Sequence, residues 1–153
     1  MSEDSEKRDR QMIELLNELR VALPGVQILF GFLLTAPFAA NFRRITPTQR
    51  TLFYAALLAT AVSTILLIAP SATHRLRFHQ SDRAYLIETA NKYLIAGLVF
   101  LAVAIVLALV MITDVLYRGS AVFVFPALVA LLLLGLWFVR PLVRTARSRS
   151  SGP

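Results

Sequence analysis

Four apolar runs alternate along the chain with short polar and basic stretches, and the first grows out of a segment that is apolar on one side only. From Met12 the apolar positions are Met12, Leu15, Leu16, Leu19 and Leu23, which share one face of a helix, while Glu14, Asn17, Glu18 and Arg20 occupy the rest. A helix of this kind lies along a membrane surface or packs against the cytosolic ends of other spans. Pro24 lacks an amide donor and its ring opposes the carbonyl four residues back, so it interrupts a helix interior but suits a first turn. The pattern therefore predicts an interfacial helix over residues 11–23, a hinge at Pro24 and Gly25, and a first span over residues 21–40. About 20 apolar residues at ~1.5 Å per residue match a ~30 Å hydrocarbon core. Within that run Gln27 is the deepest polar residue, and its amide needs a partner across helices or at the headgroups; helix–helix contact is the favoured role.

The other three runs have their own boundary signals. Thr46, Pro47 and Gln49 make a capping box, with Thr46 as N-cap and Gln49 at N3. A second span follows over residues 51–69 and is expected to stop before Pro70. In it Ala55, Ala59 and Ser63 recur four apart beside Ala56 and Thr60, a small-residue stripe suited to intramolecular packing, with a dimer face as the alternative. The connection from Ser71 to Arg83 is the most polar in the chain and carries His74 and Arg75. The third span covers residues 94–113, with Gly97, Ala104 and Ala108 on one face. Asp114 closes it, and Arg118 four residues later can pair with it. A turn at Tyr117–Ser120 leads to a fourth span over residues 121–139, kinked at Pro126 and with Trp137 near the headgroups. The fold class is all-α: a four-span transmembrane helical bundle preceded by an N-terminal amphipathic interfacial helix. One membrane domain, residues 11–140, lies between a flexible polar N-terminus (1–10) and a flexible basic tail (141–153).

Composition sharpens this reading. At 57% hydrophobic and 16% charged, 153 residues are too apolar for a soluble domain. The charge sits in short blocks between the runs. The absence of cysteine excludes disulfides, thiol redox chemistry and Cys-ligated zinc. The acidic N-terminus does not have the form of a secretory signal peptide. A net charge of +7 beside apolar spans is suited to anionic lipid headgroups rather than nucleic acid. The 16 basic residues fall four each on the N-terminus, the second loop and the tail, against three on the first loop and one on the third. The positive-inside rule then puts both termini in the cytoplasm.

Candidate chemistry is sparse. His74 and His79 are five apart, off a shared helix face, and no carboxylate is patterned with them, so no metal site is expected. No nucleophile elbow, phosphate loop or zinc-protease motif occurs, and neither an enzyme activity nor a cofactor is predicted. The span centres carry no ionisable group, which disfavours coupled ion transport. A channel lined by Gln27, Thr35, Thr60, Ser63 and Thr64 is the alternative. The candidate polar and interfacial contacts are thus Gln27, His74, Arg75, Asp114 and Arg118.

Two stretches, Glu18-Leu19-Arg20-Val21-x-Leu23-Pro24-Gly25-Val26-Gln27-x-Leu29-Phe30-Gly31-Phe32-Leu33-Leu34 and Ile68-Ala69-Pro70-Ser71-x-x-His74-Arg75, resemble a bacterial family of small four-helix membrane proteins of unknown function. The likeness covers roughly residues 14–115. Some members carry a sodium:proton antiporter label. The resemblance implies a multi-pass protein of the bacterial inner membrane and assigns no site residues. The expected role is non-enzymatic, structural or regulatory. The alternative is a small ion or solute transporter or channel of antiporter type, working as a homodimer.

Overall fold

A computed structural model describes residues 3–40, 42–76, 83–117 and 119–139, and every regular element among them is helical. Helix α1 spans Glu3–Thr35, α2 Pro47–Leu76, α3 Arg83–Leu116 and α4 Ala121–Leu133, with a π-helical continuation over Leu134–Val139. Three stretches are long and apolar enough to cross a membrane: Leu19–Phe38, Pro47–Ala72 and Thr89–Leu116. The fourth apolar helix, Ala121–Trp137, is shorter.

Two proline boundaries differ from expectation. Helix α1 is unbroken through Pro24 and Gly25, so the interfacial helix and the first span are one element. Its flanks explain this. Leu19 and Val26, nearly two turns apart, are both buried in one cluster with Leu67, Leu94 and Leu101, while Pro24 and Gly25 face outward. A proline on the outer face removes one hydrogen bond, whereas unwinding the helix would free several and release a packed flank. Likewise α2 runs past Pro70 to Leu76. The side chains of Met12, Leu15, Leu16, His74 and Arg75 lie outside the described residues, as do Arg118 and the basic tail.

The core is the α2–α3 pair. Contacts between Gln49 and Asp114 and between Ser63 and Gly97 descend one helix as they climb the other, so the pair is antiparallel. The small-residue faces meet: Ala56, Ala59, Thr60 and Ser63 on α2 and Gly97, Ala104 and Ala108 on α3 are all buried. This is the intramolecular use predicted for the stripe. The approach is close enough that a Cβ on Gly97 would meet Leu67 at 2.8 Å. Helix α1 packs across α2 and α3, and its residues Val26 and Leu33 enter two successive apolar clusters. Among the described residues α4 packs against α3 and no other helix.

The burial pattern is the inverse of a soluble protein's. The α2–α3 seam buries small residues such as Ala56, Ala59 and Ala104, whereas Phe32 (72%), Ile65 (67%) and Phe123 (72%) are among many large apolar side chains on the outside. Such a surface, on helices long and apolar enough to span a bilayer, is compatible with a membrane protein.

Candidate functional site

Among the described residues, a cluster of polar side chains lies at the end of the helix hairpin where α2 begins and α3 ends. Thr46 and Gln49 form the predicted capping box. The Thr46 amide donates to Gln49 Oε1 at 2.9 Å, and the Gln49 amide donates to Thr46 Oγ1 at 3.2 Å. Pro47 occupies the first helical position. The box leaves the Gln49 Nε2 group free to reach across, and it donates to Asp114 Oδ2 at 2.8 Å. Gln49 is buried, so one side chain caps α2 and fastens it to the last turns of α3. Phe42 closes the connection from the other side by packing edge-on against Phe53, their ring centroids 4.8 Å apart.

A cleft of about 360 Å³ opens beside this clasp, lined by Arg44, Ile45, Thr46, Gln49, Asp114 and Tyr117 among others. It holds one carboxylate and one guanidinium but no nucleophile with an adjacent base. No group of three or more His, Cys, Asp or Glu residues among those described could hold a metal ion. The groups that line the cleft offer hydrogen bonding and charge pairing.

Each predicted contact has its own outcome. Asp114 is placed at the end of α3 as expected, but its partner is Gln49, and Arg118 lies outside the described residues. Gln27 lies on the exposed side of α1, next to the fully buried Val26, and has no hydrogen-bond partner among the described residues. The five residues considered as a channel lining do not share a lumen. Gln27 and Thr35 are on the outer surface of α1, while Thr60 and Ser63 are fully buried between helices. Their hydroxyls are already committed. Thr60 donates to the Ala56 carbonyl and Thr64 to the Thr60 carbonyl, both at 2.8 Å, and Ser63 donates across to the Gly97 carbonyl at 2.8 Å.

Sequence reasoning missed the Gln49–Asp114 link, although a signal for it exists. Laying the Ser63 stripe against the Gly97 face fixes the antiparallel register and puts Gln49 within about one turn of Asp114.

No curated protein and no solved structure matches the chain. One family model does, covering residues 2–141, and the chain therefore belongs to a family of unknown function, DUF6328.

Proposed function

We propose that the chain is a non-enzymatic, multi-pass membrane protein that acts as a structural or regulatory module. It crosses a bacterial inner membrane four times through α1 to α4, keeps both termini cytoplasmic and sets its basic segments against anionic headgroups. The observation that carries this reading is the fate of the polar side chains. Among the described residues Thr60 and Thr64 bond back to their own helix, Ser63 bonds across to α3, and Gln49 and Asp114 form a clasp at the hairpin end, which supports a packing role for these polar groups. A transporter needs ionisable or polar groups converging on a route through the bilayer.

Reconstitution tests this directly. Proteoliposomes holding the full chain are expected to show proton and sodium fluxes no greater than protein-free vesicles. A flux abolished by Asp114→Asn would overturn the proposal in favour of the antiporter reading. Orientation is checked separately by fusions at Pro153: a cytoplasmic fluorescent reporter is expected to light up, and an active periplasmic-type phosphatase would reverse the assignment.

A further inference from the structure

Gln27 is the one polar side chain in the middle of an apolar helix that the described part of the chain leaves unpartnered. It lies eight residues into the twenty-residue apolar stretch Leu19–Phe38, about 12 Å from its start at ~1.5 Å per residue. Apolar layers bracket it: Val26 enters the cluster of Leu67, Leu94 and Leu101, and Leu29 packs against that cluster and the next one, around Leu33 and Phe53. A membrane around these layers places hydrocarbon at Gln27, where an amide finds no water to bond.

The same outer face has room for a close neighbour. Gly31, one turn on, is exposed, and a Cβ there would meet nothing within 4 Å. Thr35, a further turn on, is exposed too, but its hydroxyl bonds back to the Gly31 and Phe32 carbonyls at 3.2 and 3.0 Å. Gln27 is therefore the polar group this face presents outward.

We infer that this face of α1 docks a second copy of the chain in a parallel dimer, with the Gln27 amides hydrogen-bonded to one another and Gly31 at the crossing. The occupant follows from the chemistry of the group. A carboxamide has both a donor and an acceptor, so it is complementary to its own image across a two-fold axis along the membrane normal. Two chains inserted with the same orientation bring Gln27 to the same depth. The small-residue stripe of α2 cannot serve as the seam, because α3 already covers it.

This inference rests on the membrane reading above, and the test separates the two. The chain has no cysteine, so a single cysteine at Ile28, exposed beside Gln27, reports proximity without background. In phosphatidylcholine–phosphatidylglycerol vesicles, Ile28→Cys is expected to form a disulfide-linked dimer on mild oxidation. The equally exposed control variants Ile65→Cys on α2 and Leu128→Cys on α4 should not. Gln27→Leu, measured by energy transfer between labelled chains, is expected to weaken association about tenfold, and Gly31→Leu should weaken it further. Gln27 is exposed and a Cβ on Gly31 meets nothing within 4 Å, so both variants are expected to fold. Equal cross-linking at all three positions, no cross-linking at any protein-to-lipid ratio, or association unchanged by Gln27→Leu would each overturn the dimer. Alkaline carbonate extraction of the same samples assigns the failure. A chain that stays in the membrane without cross-linking loses only the dimer, and a chain released by carbonate loses the membrane reading with it.

Discussion

Ser63 and Gln27 are both polar residues set in long apolar helices, yet the fold treats them in opposite ways. Ser63 is fully buried and donates to the Gly97 carbonyl of the neighbouring helix, at a position where glycine lets the two backbones come together. Gln27 sits beside a fully buried valine but is itself exposed, with no hydrogen-bond partner among the described residues. The first arrangement is complete within one chain and the second is not. In a hydrocarbon surrounding this difference separates a residue that holds the fold from one that invites a neighbour.

The contrast can be broken hardest at its tightest point. Gly97→Leu puts a Cβ 2.8 Å from Leu67 side-chain atoms and adds three more carbons, so we expect a loss of about 3 kcal/mol or more. Reversible unfolding in mixed micelles, followed by circular dichroism, reads this out. Stability within about 1 kcal/mol of the natural chain would show that the helix seam is looser than described. Gln49→Leu removes the capping acceptor and leaves Asp114 without its donor, an expected cost of about 1–2 kcal/mol in the same assay. Asp114→Asn keeps an acceptor for Gln49 and is expected to lose only about half as much. The order Gln49→Leu worse than Asp114→Asn is the sharper test, since it requires one glutamine to do two jobs. Ser63→Ala removes a single interhelical hydrogen bond, and an effect of about 0.6–1.7 kcal/mol is expected. Gln27→Leu in the dilute, monomeric state should change stability least, by less than about 0.5 kcal/mol, because the exposed Gln27 has no hydrogen bond to lose among the described residues.

Much of the architecture was legible in the residues, and the failures share physical causes. The capping box Thr46–Gln49, the small-residue faces of α2 and α3 and the turn before α4 all carry local signatures that the structure repeats. Gly119 in that turn has a φ of +83°, a conformation glycine adopts freely and other residues rarely do. The continuity of α1 through Pro24 is not written in the local sequence, because it depends on packing to either side: Leu19 and Val26 hold α1 together across the break that Pro24 would make alone. The exposure of Gln27 was not legible because its neighbours are apolar whether they face protein or the outside. Along α1 the buried Val26 and Leu33 differ little in polarity from the exposed Ile28 and Phe32, so no periodicity marks the seam. The Gln49–Asp114 link spans 65 positions and needs the helix register, which became available only once Ser63 and Gly97 were seen to meet.

The most direct test of the contrast is to measure unfolding free energy for Ser63→Ala and Gln27→Leu across a dilution series in protein-to-lipid ratio. We predict that Ser63→Ala is destabilised to the same extent at every ratio, while Gln27→Leu matches the natural chain at high dilution and falls behind it only where chains meet. A Gln27→Leu chain that is destabilised at the highest dilution as strongly as Ser63→Ala would contradict the account, because it would place the partner of Gln27 inside its own chain.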